Sequence, residues 1–295
     1  MLHAVEQIRR MRGGAQSHLM RCSDGAYYVV KFQNNPQHRR ILANELLGTR
    51  LAGRLGLPIT PVEAIHVSEE LIRLTPELCM ELAHSRVACQ PGLQFGSRYP
   101  GDPRHQTLHD FLPDPQLRKV ENLHEFAGML VFDKWTCNTD GRQTLFFRGS
   151  PERSDQNVHD LRLAREVNGD TNDIARASDS TDGCYQAVMI DQGFCFNAGE
   201  WNFPDAPLRG LYARNRVYEG VTGMESFVPW MRRIENAITG RVLAGITEEI
   251  PPEWYDDDYD ALTRLLEQLE QRKRRIPELL LEAKNTTRQP FPNWR

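Results

Sequence analysis

The alternation of apolar and polar positions over the first hundred residues predicts short strands around one helix. Residues 26–32 (AYYVVKF) are β-branched and aromatic and follow a Ser-Asp-Gly turn, which is typical of a strand. Between residues 39 and 55, apolar residues recur at three- and four-residue spacings before Gly56 and Pro58, the pattern of an amphipathic helix. We also expect strands over residues 61–67 and 87–98 and a short helix over residues 75–82.

After residue 100 the pattern becomes mostly helical. Residues 117–135 repeat apolar side chains with a helical period and carry too few polar positions for a surface helix, so we expect this helix to be buried. The turn-rich sequence YPGDP at residues 99–103 predicts a boundary between two lobes. Further strands are predicted at residues 144–147 and, followed by a turn, within residues 185–196.

Two later segments have a less regular pattern. Residues 149–184 are rich in Asp, Asn, Ser and Arg, and we interpret them as a long insertion or mobile loop. Apolar residues repeat between residues 259 and 281, which predicts one amphipathic helix broken at Pro277. Residues after 285 are expected to fray.

The composition narrows the possible classes of protein. Of 295 residues, 40% are hydrophobic and 26% are charged, which predicts a packed, water-soluble fold. The 36 Lys and Arg against 40 Asp and Glu give a net charge of −4, so the basic excess of a nucleic-acid-binding surface is missing. The charged N-terminus and the short apolar run at residues 126–132 predict neither a secretion signal nor a membrane anchor.

Isolated cysteines and histidines argue against several kinds of site. The six cysteines occur singly, with no paired His spacing, which favours reduced thiols in the cytoplasm over a zinc module or a disulfide-rich scaffold. A Gly-x-Ser-x-Gly nucleophile motif is absent. The acidic run at residues 256–258 is interpreted as an N-terminal helix cap rather than a metal site.

Lys31 and Glu45 are the first residues that suggest chemistry. Lys31 lies on the predicted strand, and Glu45 lies on the helix that follows it. Either residue alone is typical of a solvated surface, but a lysine on a half-buried strand needs a counter-charge, which the adjacent helix offers. A strand lysine oriented by a helix glutamate is the arrangement with which protein kinases hold the α- and β-phosphates of ATP.

The loop before Lys31 contains Gly13 and Gly14 between the first two strands, in the sequence RGGAQSH. Backbone amides of such a loop could approach phosphate groups. The segment lacks both the Gly-x-Gly-x-x-Gly spacing of protein kinases and the Gly-Lys-Ser/Thr ending of a P-loop. A simple hairpin turn therefore explains it at least as well.

Two aspartates follow predicted buried elements. Asp140 lies in the polar loop NTDGR after the buried helix, and Asp191 follows a short apolar strand and precedes Gln192 and Gly193. Asn-Thr-Asp-Gly by itself is also an ordinary turn. If the two neighbouring strands pair, both carboxylates face one cleft, where one could accept a hydroxyl proton and the other could bind Mg²⁺, as phosphoryl transfer requires.

The order of Lys31, Glu45, NTDGR and IDQGFCF resembles the HipA-like branch of the protein-kinase-like fold. The resemblance extends over most of the chain, because three further segments are similar to stand-alone HipA-like domains. These segments are LGLP at residues 55–58, QFGSRYPG at residues 94–101 and IPPEW at residues 250–254.

The resemblance implies a role for each of the candidate residues. Lys31 would bind the phosphates of ATP, and Glu45 would orient Lys31. Asp140 would be the catalytic base, and Asp191 would be the ligand of Mg²⁺. HipA itself also has an N-terminal extension and an antitoxin partner, and toxin activity does not transfer with the fold.

The sequence departs from the family pattern after Asp140. Related kinases carry a metal-binding Asn five residues after the catalytic Asp, and this chain has Leu145, whose side chain cannot bind Mg²⁺. Gln143 could supply an amide oxygen instead, or it could cap the backbone of the loop. Otherwise the site uses a single protein ligand for the metal, or the chain is an ATP-binding pseudokinase.

We therefore expect an α+β, bilobal protein-kinase-like fold, with a β-rich N-lobe over residues 1–100, a helix-rich C-lobe over residues 101–295 and ATP between them. The predicted activity is ATP- and Mg²⁺-dependent transfer of phosphate to a Ser or Thr hydroxyl, with an unidentified protein as acceptor. The alternative is a catalytically silent ATP-binding protein or scaffold. We expect a cytoplasmic protein with neither a nucleic-acid nor a membrane partner.

Overall fold

The computed structural model describes residues 1–148 and 184–295. The strands are β1 (Leu2–Arg10), β2 (His18–Cys22), β3 (Tyr27–Lys31), β4 (Val62–Val67), β5 (Cys79–Leu82), β6 (Ser85–Ala88), β7 (Gly92–Arg98), β8 (Gln143–Arg148) and β9 (Tyr185–Ile190). The α-helices are α1 (Ile41–Arg54), α2 (Glu69–Leu74), α3 (Asp114–Leu117), α4 (Glu125–Trp135), α5 (Val228–Ala237), α6 (Gly240–Thr247), α7 (Tyr259–Arg272) and α8 (Ile276–Lys284). The insertion predicted over residues 149–184 lies, apart from Cys184, outside the described residues.

Five strands close a small barrel in the order β1-β2-β3-β7-β4. Neighbouring strands pair antiparallel, except β1 and β4, which pair in parallel. Tyr28, Val30 and Phe32 belong to the apolar cluster that includes the barrel residues Ile65 and Val67. Because successive side chains of a strand point to opposite faces, Lys31 lies on the other face of β3.

A second, larger apolar cluster joins the two halves of the chain. It contains Leu46 and Leu51 of α1 together with Phe126 of α4 and Leu265 of α7. Helix α1 therefore packs with elements that follow residue 100, although it precedes α4 by some seventy residues and α7 by some two hundred in the chain. This packing fixes α1 between the barrel and the C-terminal helices.

Strands β8 and β9 form a separate antiparallel pair. Their register places Gln143 opposite Ile190 and Arg148 opposite Tyr185. The start of β8 therefore lies beside the end of β9, and the pairing of these two strands, which the sequence analysis took only as a condition, is present. The loop before β8 and the loop after β9 meet at the same end of the pair.

The helix predicted over residues 75–82 is wrong. The helix in this region is α2, which Ser68 caps by accepting a hydrogen bond from the amide of Leu71 at 3.1 Å. Residues 79–82 instead form a hairpin with β6, and Leu78 and Met80, two positions apart, join the apolar cluster of the barrel. Burial at every second residue is the pattern of a strand. Over so short a segment, the apolar positions alone do not distinguish this pattern from that of a helix.

Other boundaries also differ from the predictions. The strand predicted over residues 87–98 is divided into β6 and β7, with Gly92 in the left-handed region at φ 106°. The buried helix begins at Glu125 rather than at Leu117, because the preceding segment turns to pair with β9 through a bridge between Val120 and Tyr185. Residues 126–135 are buried throughout, as expected.

The C-terminal segment departs most from its prediction. A 3₁₀ turn at Lys273–Arg275 divides the predicted helix into α7 and α8, and Pro277 lies in the first turn of α8, where a proline is well tolerated. Residues after 285 do not fray. Phe291 is buried, with its ring centroid 5.6 Å from that of Tyr218 and 5.5 Å from that of Phe227.

The acidic run is a helix cap, as the sequence indicated. Asp258 accepts a hydrogen bond from the amide of Ala261 at 2.9 Å and also pairs with Arg40 at 3.0 Å. The described ranges contain no group of three or more His, Cys, Asp and Glu side chains that could hold a metal ion, and no disulfide. None of their helices has the length and apolar character needed to cross a membrane.

The packing of the C-terminal tail can be tested by truncating Phe291. We expect Phe291→Ala to lower the free energy of unfolding by about 3–5 kcal/mol, since the change empties a fully packed site. Leu281→Ala, at a side chain that is 43% exposed on α8, is the control and is expected to cost less than about 1 kcal/mol. Urea unfolding of both variants measures the difference, and equal stabilities would show that the tail is frayed after all.

Candidate functional site

Lys31 lies at the centre of a buried group of charges. Only 8% of the residue is exposed, and its Nζ donates hydrogen bonds to Oε1 of Glu45 on α1 and to Oδ1 of Asp191, the latter at 2.8 Å. The ion pair expected between Lys31 and Glu45 is therefore present. Asp191, which follows β9, joins it as a second carboxylate on the same ammonium group.

The three groups alter one another's protonation. Burial by itself lowers the pKa of Lys31, but Glu45 and Asp191 outweigh burial and hold that pKa above its usual value. Burial raises the pKa of Glu45 to about 7, against the lowering effect of Lys31. For Asp191, burial favours the neutral acid, but Lys31 and the hydrogen bonds lower its pKa to about 2, so this carboxylate is charged at neutral pH.

Glu45 also binds the backbone of the loop after β9. Its Oε2 accepts a hydrogen bond from the amide of Gln192, and its Oε1 accepts one from the amide of Gly193, both at 2.9 Å. A Cβ atom on residue 193 would lie 2.6 Å from Cγ1 of Ile41, so only glycine permits this close approach. Asn44, beside Glu45, donates to the carbonyl oxygen of Gly193 at 2.9 Å. Helix α1 thus holds the loop through two adjacent side chains.

The backbone of Asp191 is in the left-handed region, at φ 61°. Residues other than glycine adopt this conformation at a cost in free energy, and they do so most often at functional sites. The hydrogen bond from Lys31 holds the side chain of the strained residue, and the bond from the amide of Gln192 to Glu45 fixes the chain directly after it.

A second buried ion pair joins the two loops of the site. Arg142 donates from Nε to Oδ2 of Asp133 at 2.9 Å and from Nη2 to the other carboxylate oxygen. Its Nη1 donates to the carbonyl oxygen of Ile190 at 2.8 Å and to Oε1 of Gln192 at 2.7 Å. Burial alone lowers the pKa of Arg142, but Asp133 reverses this effect and raises it. Arg142 thereby ties the loop of Asp140 to the loop of Asp191.

Asp140 is exposed at the turn before β8. Its Oδ1 accepts a hydrogen bond from the amide of Gly141 at 2.7 Å, and its Oδ2 accepts one from Nε2 of Gln143 at 3.1 Å. The amide nitrogen of Gln143 therefore faces Asp140. Leu145 lies two positions further along β8 and is partly buried.

The loop with Gly13 and Gly14 is exposed and is anchored to the hairpin of β5 and β6. Gln16 donates to the carbonyl oxygen of Glu81 at 2.8 Å and accepts from the amide of Glu81 at 2.7 Å. Arg10 forms an ion pair with the side chain of Glu81 at 2.7 Å. The structure thus brings Lys31 together with Glu45 and Asp191, joins Asp140 to Gln143, and places the two glycines on an exposed loop anchored to the hairpin of β5 and β6.

Sequence reasoning missed Asp133, Arg142 and Asn44. A signal for the first two was present, because Asp133 is an acid within an otherwise apolar, buried helix, and a buried charge needs a partner. The adjacent Lys134 and Arg142, in the loop that follows, were the nearest candidates. No comparable signal marks Asn44, whose partners, backbone carbonyl groups and the indole nitrogen of Trp201, lie far along the chain.

Comparison with known proteins confirms the resemblance for the first half of the chain. Residues 4–148, just under half of the protein, match the family model described as HipA-like kinase. No curated protein sequence matches the chain.

Solved structures of kinases align with this chain at low sequence identity. A Helicobacter pylori proinflammatory kinase, CtkA, aligns with a TM-score of 0.50 and 14% identity, over 92% of this chain and 95% of its own. The Golgi casein kinase aligns with a TM-score of 0.46 and 11% identity, over 97% of this chain and 72% of its own. The structure of the Golgi casein kinase with Mn/ADP bound aligns with a TM-score of 0.43 and 12% identity, over 97% of this chain and 73% of its own. At these identities the likeness to CtkA extends to the fold alone, which is mixed α and β and kinase-like.

The importance of the second ion pair can be measured with two arginine variants. We expect Arg142→Ala to lower the free energy of unfolding by about 3–5 kcal/mol, because it leaves the buried carboxylate of Asp133 without its counter-charge. Arg104→Ala is the matched control. Arg104 also pairs with an aspartate, Asp102, but its side chain is 73% exposed, and we expect little or no loss of stability, because solvent screens the pair. Similar losses in urea unfolding would contradict the role given to Arg142.

Proposed function

We propose that this protein, which resembles the HipA-like kinases over residues 4–148, is an ATP- and Mg²⁺-dependent kinase that phosphorylates a Ser or Thr hydroxyl of a protein. The observation that carries the proposal is the Lys31 ammonium group, buried and held between Glu45 on α1 and Asp191 after β9. In this proposal residues 1–100 and 101–295 are two lobes with ATP between them. A cytoplasmic location, favoured by the isolated cysteines, is part of the same proposal.

Lys31 has the properties needed to bind the phosphates of ATP. Its raised pKa keeps the ammonium group charged, and Glu45 holds it in one position while accepting only part of its hydrogen-bonding capacity. A fixed, charged donor stabilises phosphate oxygens without reorganising first. The backbone amides near Gly13 and Gly14 would add neutral donors to the same phosphates.

The donor set beside Lys31 also fits a magnesium ion. Mg²⁺ prefers oxygen ligands and is commonly held by one or two carboxylates together with phosphate oxygens and water. Asp191 supplies a charged carboxylate that is 20% exposed, and Gln143 would contribute its amide oxygen after turning from Asp140. When bound, the ion neutralises charge on the transferred phosphate.

Asp140 is suited to receive the acceptor. Its carboxylate is exposed, and neighbouring hydrogen bonds from Gly141 and Gln143 leave lone pairs available for a hydroxyl group. Such a carboxylate orients the hydroxyl and accepts its proton as the phosphate is transferred.

Leu145 favours a second candidate, an ATP-binding protein without transferase activity. An aliphatic side chain at this position provides no metal ligand. Gln143, the first residue of β8, is the residue that could supply the missing ligand. In this alternative the charge group around Lys31 still binds nucleotide, but phosphate is not transferred.

The role of Lys31 predicts a loss of nucleotide affinity. Lys31→Met removes a charge-assisted hydrogen bond worth about 1.5–3 kcal/mol, so the Kd for Mg·ATP should rise roughly 10- to 100-fold. Lys284→Met, at a partly buried lysine on α8, is the control and should leave the Kd unchanged. Isothermal titration calorimetry measures both, and an unchanged affinity in Lys31→Met would refute the assignment.

Substitutions of Asp140 and Asp191 should have different effects on phosphate transfer and on the affinity for Mg·ATP. Asp140→Asn is expected to reduce phosphate transfer roughly 10²- to 10⁴-fold while ATP binding stays nearly intact, because the proton acceptor alone is lost. Asp191→Ala is expected to weaken Mg·ATP binding itself. Asp260→Asn, at an exposed position of α7, is the control. Transfer is followed with γ-labelled ATP and affinity by calorimetry, and equal effects on affinity would show that the roles are wrong.

The same assay separates the two candidate functions. Labelled phosphate on Ser or Thr of the protein itself or of an added polypeptide, located by mass spectrometry, supports the kinase. Tight ATP binding by the wild-type protein without any transfer supports the ATP-binding alternative. Absence of ATP binding contradicts both.

A further inference from the structure

Asn44 on α1 is fully buried, and its side chain binds a single stretch of distant backbone. Its Nδ2 donates to three carbonyl oxygens at 2.8–3.0 Å, those of Gly193, Cys195 and Ala198. Its Oδ1 accepts a hydrogen bond from the indole nitrogen of Trp201 at 2.7 Å. One side chain thus holds residues 193–201, the α1-bound segment, at both ends and in the middle.

The partners of Asn44 require an amide at this position. A carbonyl oxygen only accepts hydrogen bonds and an indole N–H only donates one, so the amide nitrogen must face the carbonyl groups and the amide oxygen must face Trp201. An ionised aspartate of the same shape has no donor, and leucine has neither a donor nor an acceptor. The contact is therefore specific in chemistry as well as in shape.

The α1-bound segment needs such support because its backbone is strained. Four of its residues have φ between 51° and 60°, namely Phe196, Asn197, Ala198 and Trp201. Residues other than glycine adopt these values at a cost in free energy, and they persist only where surrounding contacts hold them. Arg40, the N-cap residue of α1, adds a second support by donating to the carbonyl oxygen of Gly199 at 3.1 Å. Its guanidinium carbon also lies 4.2 Å from the centroid of the Trp201 ring.

The α1-bound segment is in turn hydrogen-bonded to the loop that leads to Asp140. Three backbone hydrogen bonds of 2.6–3.1 Å join the two, from Phe196 to Thr136, from Asn197 to Cys137 and from Thr139 to Phe194. Thr139 directly precedes Asp140, and Cys137 is itself in the left-handed region at φ 51°. The position of the Asp140 loop therefore depends on the segment, and the conformation of the segment depends on Asn44.

We propose that Asn44 is a positioning residue for phosphate transfer: by holding residues 193–201, it fixes the loop in which Asp140 receives the acceptor hydroxyl. The inference rests on the proposed kinase function and adds to it a residue that acts through the backbone alone. Helix α1 then supports the reaction in two ways, through Glu45 at the ammonium group of Lys31 and through Asn44 at the loop of the proton acceptor.

The test compares two buried asparagines. Asn44→Ala removes the contacts to the α1-bound segment. Asn122→Ala is the matched control, because Asn122 is only 8% exposed and also holds distant backbone. Its Nδ2 donates to the carbonyl oxygen of Ala187 at 2.8 Å, and its Oδ1 accepts from the amide of the same residue at 2.9 Å. Each change leaves buried polar groups without partners and lowers stability, so a purely structural role predicts the same result for both variants.

Kinetics should separate the two variants. Asn44→Ala is expected to lower the kcat of phosphate transfer roughly tenfold or more, because a displaced proton acceptor no longer meets the hydroxyl group in the productive geometry. The Kd of Mg·ATP should change by less than about threefold, since Lys31 keeps its contacts with Glu45 and Asp191. Asn122→Ala should leave both quantities unchanged in the folded protein. Transfer is followed with γ-labelled ATP and affinity by calorimetry.

Trp201→Phe provides a second variant if Asn44→Ala does not fold. It removes only the indole N–H and retains an aromatic ring beside Arg40, and it should lower kcat roughly three- to tenfold without a change in the Kd of Mg·ATP. Where both single variants fold, the double variant should have nearly the kcat of Asn44→Ala, because the two residues act through one contact. A double variant in which the two losses multiply would contradict the inference.

Amide hydrogen exchange measures the same link without any activity. In Asn44→Ala, exchange should become roughly tenfold faster both in residues 193–201 and in residues 136–140, and in Asn122→Ala it should change in neither. Faster exchange that is confined to residues 193–201 overturns the inference.

Three kinetic results also overturn the inference: an unchanged kcat in Asn44→Ala, an equal loss of kcat in Asn122→Ala, and a loss of Mg·ATP affinity as large as the loss of kcat. The last result would place Asn44 at the nucleotide site. If the wild-type protein transfers no phosphate, the proposed kinase function fails instead, and the exchange measurement alone supports or overturns the link from Asn44 to the loop of Asp140.

Discussion

A buried ammonium group must be neutralised, and this requirement organises the site. Lys31 is directed out of the barrel by the alternation of β3, into a region where water cannot solvate its charge. It is stable there because Glu45 and Asp191 approach from two other parts of the chain. One cation thus fixes the barrel, helix α1 and the loop after β9 in a single arrangement. Removing either carboxylate would leave a buried charge partly unpaired.

The pair of Asp133 and Arg142 extends this constraint to Asp140. Asp133 lies within a buried helix. The side chain of Arg142, which follows Asp140 in the same loop, binds Asp133 and also donates hydrogen bonds to Ile190 and Gln192. The two candidate acids of the reaction are therefore held by connected networks, one through Lys31 and one through Arg142. Positioning of this kind supplies most of the catalysis in phosphoryl transfer, since the protein does little covalent chemistry itself.

The sequence predicted the parts of this structure that depend on local pattern and on charge. The strand of Lys31 and the helix of Glu45 followed from periodicity, and the first ion pair followed from the need to neutralise a buried lysine. The predictions of a helix over residues 75–82 and of a frayed tail around Phe291 were wrong, because tertiary pairing and packing with distant residues decide the conformation of these segments. Asn44 could not be predicted, since its partners, three backbone carbonyl groups and the indole nitrogen of Trp201, are brought to it only by the fold.

The most direct test of the account is an experimental structure of the protein with Mg²⁺ and a non-hydrolysable ATP analogue. We predict phosphate oxygens within roughly 2.7–2.9 Å of Nζ of Lys31 and a metal ion about 2.0–2.1 Å from a carboxylate oxygen of Asp191. The γ-phosphate should face Asp140, and the amide oxygen of Gln143 should point to the metal ion. A nucleotide bound away from Lys31, with the group of Lys31, Glu45 and Asp191 unchanged and untouched, would contradict the account.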